Sequence, residues 1–328
     1  MKHYLLLGAG FSRNWGGWLA NEAFEYLLGD RAIIRNALLR DLLWKNQPKG
    51  GFEAALDELR QIAHREPTQQ VLLGAFESAI VRMFDAMNAG YNSQPFEFRH
   101  SMVDRRPLQS FLSRFTAIFT LNQDLLLERH YLANKDNNHD FESWKTWQVP
   151  GMKLLRQEPE KPVYPAAIGL WQPTGLHLLE SGQPVFKLHG SSNWRTTDGK
   201  EMLILGGGKK GSIAGYPVLN WYFEEFANRL CEPDTRLMVI GYSFRDDHVN
   251  EVLHAAISRG LKMFVIDPNG SDVAKVVNPT AQPGHIYVKK PLEEDVQLSL
   301  IGASRRSLRE IFGSDEIERA KVMRFLNE

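Results

Sequence analysis

Three polar residues of this sequence carry functional groups that suit catalysis: Asn122, Asp124 and His189. A histidine exchanges a proton near neutral pH because its unperturbed pKa, about 6.5, lies close to it. An amide donates and accepts hydrogen bonds without becoming charged, and a carboxylate orients a hydroxyl group or stabilises positive charge. Together these groups could position a polar substrate and move one proton.

Each of these residues also has a purely structural interpretation. Asn122 is a suitable N-cap for a helix that begins near Asp124, and Asp124 itself favours a helix N-terminus. His189 could be a buried structural histidine. His248 and Asp246 could form a second acid–base pair, but the first turn of a helix at a cleft rim is the favoured interpretation. The residue types alone leave these alternatives open.

The N-terminal residues combine an apolar run with a glycine-rich turn. Residues 4–7 are typical of a buried parallel strand, and glycine allows the following backbone to approach a ligand closely. A helix that begins after Ser12 would direct its free N–H groups towards a phosphate or pyrophosphate. The third glycine of the common dinucleotide pattern is replaced by Arg13, so a hydride-transfer enzyme is not supported. A tight turn that binds nothing is the alternative.

Five apolar segments are each followed directly by a polar cluster. The clusters are Gly8–Ser12, Asn122–Asp124, His189–Ser191, Gly241–Ser243 and Asp267–Asn269. From Phe115 onward, strands alternate with helices, which predicts a mostly parallel sheet with helices on both faces. The carboxyl ends of parallel strands lie along one sheet edge, where ligands bind. Turns favour Gly, Asn, Asp and Ser in any case, but turn chemistry does not explain the histidine.

Helical periodicity extends from residue 18 to about residue 90, with breaks at Lys49–Gly51 and at Pro67. It predicts a helical module, about residues 18–114, inserted between the first two strands. Residues 132–184 are interpreted as long loops with short strands, and two or three helices are expected over about residues 293–328. We therefore predict a single α/β domain over residues 1–328, Rossmann-like with this insertion.

The composition excludes several classes of protein. Lys plus Arg and Asp plus Glu each total 39, and this balance argues against a strong general nucleic-acid binder. The single cysteine, Cys231, excludes an internal disulfide bond and a cysteine zinc cluster. We expect a cytoplasmic protein, because the sequence shows no signal-peptide pattern and no apolar run long enough for a membrane span. The pair Lys209 and Lys210 is interpreted as a solvated loop rather than a phosphate contact.

The order of the motifs resembles the sirtuin-like superfamily, and in particular the bacterial sirtuin-like NAD hydrolases of antiphage defence. The motifs that carry the resemblance are Gly8-Ala9-Gly10-Phe11-Ser12, Thr120-Leu121-Asn122-Gln123-Asp124, Lys187-Leu188-His189-Gly190-Ser191 and Gly241-Tyr242-Ser243-Phe244. The resemblance runs from Tyr4 to about Asn269, with residues 18–114 and 132–184 outside it. Protein-deacylating sirtuins carry a four-cysteine zinc module after the His-Gly pair, and residues 191–235 contain only Cys231.

The resemblance implies a role for each motif. The NAD pyrophosphate would bind at Gly8, Ala9, Gly10, Phe11 and Ser12. Asn122 and Asp124 would lie by the nicotinamide ribose, and His189 would be the catalytic histidine. The dinucleotide cleft would be lined by Gly241 and Ser243, with Asp267 near the adenosine ribose. NAD would be the substrate, and no metal is expected.

Cleavage of the bond between nicotinamide and ribose needs little covalent assistance, because the pyridinium is already a good leaving group. The transition state is similar to an oxocarbenium ion, so the protein must hold the dinucleotide, place a water and handle one proton. The expected function is an NAD glycohydrolase, the effector of an antiphage abortive-infection system. The alternatives are a module that binds NAD or ADP-ribose without turnover, and a protein deacylase or ADP-ribosyltransferase.

Unrestrained NAD destruction would kill the cell, so activity should be conditional. We expect a homo-oligomer whose activity depends on a partner or on a nucleic-acid signal, and the resemblance suggests a hexameric translocase-type ATPase or an Argonaute-like protein as the partner. Apolar stripes on the inserted and C-terminal helices are a candidate contact surface, and packing against the core is the alternative. These stripes include Leu300, Ile301, Leu308, Ile311 and Phe312.

Overall fold

The computed structural model describes residues 1–99, 106–132, 144, 146–155, 169–275 and 291–327. Within them the strands are β1 (Lys2–Leu7), β2 (Ala117–Thr120), β3 (Thr146–Gln148), β4 (Met152–Leu154), β5 (Trp171–Pro173), β6 (Gly182–Lys187), β7 (Gly190–Arg195), β8 (Glu201–Leu203), β9 (Thr235–Ile240), β10 (Lys262–Ile266) and β11 (Leu300–Ser304). The helices are α1 (Ala9–Arg13), α2 (Ala20–Leu28), α3 (Arg31–Ile34), α4 (Ala37–Arg65), α5 (Gln70–Gly90), α6 (Pro107–Ser113), α7 (Leu126–His130), α8 (Lys209–Ala214), α9 (Pro217–Leu230), α10 (Asp247–Ile257), α11 (Pro291–Ser299), α12 (Leu308–Gly313) and α13 (Glu316–Asn327).

A seven-stranded sheet in the order β11-β10-β9-β1-β2-β6-β3 forms the centre of the structure, and every neighbouring pair in it is parallel. The four residues at the end of β1 are completely buried, as are Leu237, Met238 and Val239 of β9. Strands that bury both of their faces require helices on both sides of the sheet. The predicted Rossmann-like α/β class is therefore confirmed.

The central strands end in register. Leu7 pairs with Thr120 on one side and with Ile240 on the other, while Lys187 and Ile266 pair at the same level on the next strands out. The residues that follow these strands therefore begin at one height along one edge of the sheet. This register is the feature that can bring the five polar clusters together.

The expected helical insertion is present between β1 and β2. Its helices enclose a second hydrophobic cluster, which includes Leu27, Leu43, Leu56 and Ile80. The predicted break near residue 50 is real, since Gly50 and Gly51 interrupt α4 with φ values of 141° and 66°. The description of residues 1–328 as one domain stays a prediction.

Two strands differ from the expectations. Residues 190–195, which include part of the polar cluster His189–Ser191 and carried no strand prediction, form β7, which belongs with β4, β5 and β8 to a separate four-stranded sheet. The C-terminal part contains the edge strand β11 as well as helices, so Leu300 and Ile301 are strand residues. β7 is rich in polar residues, and β11 contains a glycine and follows α11 directly, so neither has the apolar pattern that identified the central strands.

The expected contact surface on the C-terminal helices is mostly wrong. Leu308, Ile311 and Phe312 are buried in the main core, so they pack on the sheet. Ile301 is exposed on β11. Among the described helices, none combines the length and the apolar character that a membrane crossing requires.

Candidate active site at the carboxyl ends of the parallel strands

The turns that follow β1 and β9 pack backbone against backbone. The N–H of Gly10 donates to the Gly241 carbonyl oxygen at 2.9 Å, and the N–H of Gly8 donates to the Ile240 carbonyl oxygen at 3.0 Å. A Cβ atom at Gly10 would lie 2.6 Å from the Gly241 Cα, and Gly241 itself has a φ of +64°. These glycines are therefore required for the close crossing of two turns. Because the N–H groups of Gly8 and Gly10 already donate within the protein, a phosphate role for this loop stays a prediction.

The helix expected after Ser12 begins earlier, at Ala9. Phe11 and Ser12 are buried, and the Phe11 ring packs against Trp15 with ring centroids 5.1 Å apart. Ala9 is exposed. Phe11 thus contributes to the core, and the accessible part of the loop consists of Ala9 and the half-buried Gly10.

Asn122 connects the end of β2 to the glycine loop. Its Nδ2 donates to the Gly8 carbonyl oxygen and to Ser12 Oγ, both at 3.0 Å. Its backbone N–H donates to Thr120 Oγ1 at 3.0 Å. The capping interpretation is wrong for Asn122, because α7 begins at Leu126 without using its side chain. Asn122 instead holds the glycine loop against the end of β2, and its half-buried side chain lies at the sheet edge.

Asp124 is the residue that serves α7. Its Oδ1 accepts a hydrogen bond from the Leu126 N–H at 3.0 Å, and its side chain is buried. Beneath it, Lys187 Nζ donates to the Asp124 carbonyl oxygen and to Glu128 Oε1, both at 2.6 Å. Burial raises the pKa of Asp124 and of Glu128, and the charge of Lys187 opposes the rise. This geometry favours a supporting role for Asp124, and its catalytic role stays a prediction.

His189 lies at the end of β6 and is buried, with 3% of its surface exposed. Gln123 Nε2 donates to the His189 carbonyl oxygen at 3.4 Å, and the Ser192 N–H donates to the Gln123 carbonyl oxygen at 2.9 Å. These bonds fix the histidine backbone beside the residue that follows Asn122. Burial, followed by the charge of Lys209, lowers the pKa of His189 to about 3, so its imidazole is neutral at neutral pH.

A second histidine contacts His189. His248 lies in the first turn of α10, and the two Nε2 atoms are 2.9 Å apart. The ring of Phe223 packs against both imidazoles. Since α10 follows β9, this contact joins two strand ends that β1 and β2 separate in the sheet. Residue types already suggested His248 as an acid–base candidate, but only the tertiary structure shows its partner.

Lys209 is not in a solvated loop. It is the first residue of α8, its side chain is 16% exposed, and its Nζ lies 2.9 Å from Asp246 Oδ1 and 3.0 Å from Glu53 Oε2. Lys210 is solvated as expected, with a side chain that is 74% exposed and pairs with Glu251, but it too lies on α8 and not in a loop. Glu53 belongs to α4 of the helical insertion. No local pattern in the sequence indicates this contact, because its partners lie far apart along the chain.

The ring nitrogens of His189 and His248 and a carboxylate oxygen of Asp246 lie within 4.8 Å of one another, close enough to share a cation. The Lys209 ammonium group already neutralises Asp246, however, and the two imidazoles face each other at hydrogen-bond distance. The cluster is better described as a hydrogen-bonded histidine pair beside the ion pairs of Lys209 with Asp246 and Glu53 than as a metal centre. The expectation that no metal is needed stays a prediction.

The remaining candidates lie further along the same edge. Gly241 and Asp267 follow neighbouring strands, and the Gly241 N–H donates to the Ile266 carbonyl oxygen at 3.0 Å. Ser243 is exposed. Asp267 Oδ1 accepts a hydrogen bond from the Asn269 N–H at 2.8 Å, and burial raises the pKa of Asp267. In the strand order, Asp267 follows β10, which is three strands from β2 in the direction opposite to β6 and His189.

The helical insertion reaches this edge at a second point. Asn88 of α5 accepts a hydrogen bond from the Leu125 N–H at 2.8 Å through its Oδ1, and its Nδ2 donates to Ser192 Oγ at 3.1 Å. It thus bridges the turn after β2 and the strand after His189. Sequence reasoning missed Asn88, because a polar residue in an amphipathic helix is usually solvated.

Comparison with known proteins agrees with this geometry. Residues 116–282 match the SIR2-like domain, a span just over half the length of the chain. It includes Asn122, His189, Gly241 and Asp267, whereas the glycine loop lies before it. No curated protein matches the chain. SIR2-like domains use NAD as a substrate, which supports an NAD-related function. With the parallel sheet and the ordered motifs at its edge, this match shows that the chain belongs to the sirtuin-like family of SIR2-like domain proteins.

Proposed function

We propose that this protein is an NAD glycohydrolase, which cleaves NAD to nicotinamide and ADP-ribose. One observation carries the proposal: Asn122 bonds to the glycine loop after β1, and its neighbour Gln123 bonds to the backbone of His189 after β6. Three motifs thus enclose one stretch of the sheet edge. A dinucleotide lying across the carboxyl ends of parallel strands would meet them in turn.

The chemistry assigns a task to each side chain. Water attacks C1′ of the nicotinamide ribose, the bond from carbon to the pyridinium nitrogen breaks, and nicotinamide leaves as a neutral molecule. The attacking water gives up one proton in the process. The neutral imidazole of His189 would accept that proton. The amide of Asn122 would orient the water and the ribose without adding charge.

Water is better supported than an acylated lysine as the group that attacks the nicotinamide ribose. The chain contains one cysteine, so it cannot supply the four thiolates of the sirtuin zinc module. In its place, the residues after His189 form β7, β8, α8 and α9. This substitution favours hydrolysis over protein deacylation.

We further propose that the enzyme is the effector of an antiphage abortive-infection system. Destruction of NAD is useful to a cell population only if it is conditional, so the enzyme is expected to act as a homo-oligomer under the control of a partner. By resemblance to sirtuin-like defence enzymes, that partner is a hexameric translocase-type ATPase or an Argonaute-like protein. Turnover measured with and without the product of a neighbouring gene tests this role.

Chromatography of NAD incubated with the purified protein separates the candidate functions. Release of nicotinamide and free ADP-ribose without any peptide supports hydrolysis. Binding of NAD without release would instead favour a signalling module. Release that requires an acylated peptide would favour a deacylase, and radiolabel retained on protein would favour an ADP-ribosyltransferase.

A further inference from the structure

The proposed hydrolysis leaves a proton on a histidine that the protein buries. Resting on that proposed function, we propose that His248 is a positioning residue that orients His189 and carries this proton from it to solvent. The relay uses the direct contact between the two imidazoles. It assigns His248 a task that packing alone would not require.

The contact has the geometry of a hydrogen bond between two rings. The Nε2 atoms of His189 and His248 are 2.9 Å apart, a normal distance between a nitrogen donor and a nitrogen acceptor. One Nε2 therefore carries a hydrogen and the other presents a lone pair. The contact thus couples the two neutral rings: the ring that accepts on Nε2 carries its hydrogen on Nδ1. Relay to His248 requires the tautomer in which His189 carries its hydrogen on Nε2 and accepts the new proton on Nδ1.

Protons balance along this path. The attacking water transfers one proton to His189 Nδ1, and His189 Nε2–H transfers one proton to His248 Nε2. His248 then releases its Nδ1 proton to solvent. One proton enters the pair and one leaves it, and no electrons are exchanged. Return of both rings to the starting tautomers completes the cycle.

The two rings differ in their access to solvent. His189 is buried at 3% exposure, whereas His248 is half-buried in the first turn of α10. A positive charge at a helix N-terminus is unfavourable, so His248 would not retain the proton. Burial lowers the pKa of His248, and the charge of Asp246 opposes this effect. His248 is thus suited to pass the proton on to solvent.

Charged groups surround the pair on several elements. Lys209 of α8 lies between Asp246 and Glu53, and Phe223 of α9 provides an apolar face against both rings. The titratable and charged groups that act on the pair are Glu53, Lys209, Asp246, Asp247 and Glu251. Lys209 holds the Asp246 carboxylate in place, near the imidazole rings of His189 and His248, each of which becomes transiently positive during the relay.

The test compares His248→Gln with His254→Gln, a matched histidine on the same helix whose side chain is 62% exposed and pairs with Asp295. We expect His248→Gln to keep KM for NAD within about twofold and to lower kcat at neutral pH by roughly tenfold to a hundredfold. Added imidazole should restore part of the lost rate in His248→Ala, and His254→Gln should match the parent. A kcat of His248→Gln equal to that of the parent from pH 6 to 9 would overturn the relay.

Nitrogen NMR of the histidine rings gives a second readout that needs no turnover. We expect Nε2 of His189 to be protonated in the parent, with its signal shifted in His248→Gln and unchanged in His254→Gln. A His189 protonated on Nδ1 in the parent, or a spectrum insensitive to His248→Gln, would contradict the proposal. A parent that binds NAD but releases no nicotinamide would reject the proposed hydrolysis itself, whereas full hydrolysis by His248→Gln would reject only the relay.

Discussion

At the scale of single residues, burial decides the chemical state of the candidate base. His189 is enclosed by Phe223 and His248, and its burial keeps the imidazole neutral. A neutral imidazole offers a lone pair to the proton of the attacking water, but a pKa of about 3 makes His189 a weaker base than the unperturbed histidine expected from the sequence, so it does not keep this proton. Asn122 contributes in a different way, because its amide holds the glycine loop against the end of β2.

The pH dependence of stability should reveal the buried His189. Its pKa falls from 6.5 to about 3 on folding, so below about pH 6.5 the unfolded chain takes up a proton that the folded protein does not. The free energy of unfolding contributed by this residue is therefore present above pH 6.5 and is lost as the pH falls towards 3. One proton corresponds to a slope of about 1.4 kcal/mol per pH unit. Urea unfolding at pH 7, 6 and 5 should show that the free energy of unfolding falls less with decreasing pH in His189→Gln than in the parent. Equal pH dependence in the two proteins would refute a buried, neutral His189.

The residue types of this site were predictable, but their contacts were not. Asn122 and His189 stand out in the sequence because each follows an apolar strand. The pairing of His189 with His248 depends on the crossing of α10 over the sheet edge, which no local pattern encodes. Lys209 was misjudged for the same reason, since Glu53 and Asp246 approach it from distant parts of the chain.

At the scale of secondary-structure elements, the register of the sheet and the crossing of two turns determine which residues meet at the sheet edge. The turns after β1 and β9 approach closely enough that side chains are excluded at Gly8, Gly10 and Gly241. A bulky residue at Gly10 would therefore displace the Gly241 turn as well as any phosphate above it. Loss of NAD binding in Gly10→Val would not by itself locate the pyrophosphate.

The Gly241 crossing is tested by Gly241→Ala. The new Cβ would overlap the backbone of Gly10 and Phe11, and φ at this position is +64°, so we expect a loss of about 2 kcal/mol or more in the free energy of unfolding. Gly74→Ala is the control: no atom lies within 4 Å of its Cβ position on α5, and helix propensity predicts a gain of up to about 1 kcal/mol. Urea denaturation measures both changes. Equal stability of Gly241→Ala and the parent would show that the turns do not cross as described.

The helical insertion is linked to the histidine pair through two ion pairs, Glu53–Lys209 and Lys209–Asp246. Glu53→Gln removes one of the two charges that hold Lys209, and we expect it to lower kcat roughly two- to tenfold with little change in thermal stability. Glu58→Gln is the matched control, because Glu58 lies on the same helix and pairs with Lys45 inside the insertion. If both variants turn over NAD at the parental rate, the insertion does not influence the site through these ion pairs.

The elements that the sequence predicted well are those with long or strongly apolar patterns. The helices of the insertion and the central strands carry such patterns, and Gly50, Gly51 and Pro67 mark real breaks. The strand β7 was missed because Ser191, Ser192 and Asn193 interrupt its apolar pattern. The strand β11 was missed because it follows α11 directly, so the sequence pattern assigns Leu300 and Ile301 to the apolar stripe of a helix.

At the scale of the whole molecule, the expected control by assembly needs an exposed contact surface. Ile301 is 49% exposed on the edge strand β11, whereas the apolar residues of α12 are buried. An edge strand offers unpaired backbone groups to a second chain. We expect light scattering to report a mass above that of one chain for the parent and a lower mass for Ile301→Glu, with the melting temperature retained. A fully active monomer at every concentration would contradict the expected homo-oligomer.

The most direct test of the account is nicotinamide release by the parent and by His189→Ala, with NAD affinity measured on both proteins by calorimetry. His189 is the suitable position because its side chain pairs with His248 and does not brace the glycine loop, whereas Asn122 does. We predict release of nicotinamide and ADP-ribose by the parent without any peptide. His189→Ala should bind NAD within a few-fold of the parental affinity and hydrolyse it roughly two to three orders of magnitude more slowly. Hydrolysis by His189→Ala at the parental rate would contradict the account.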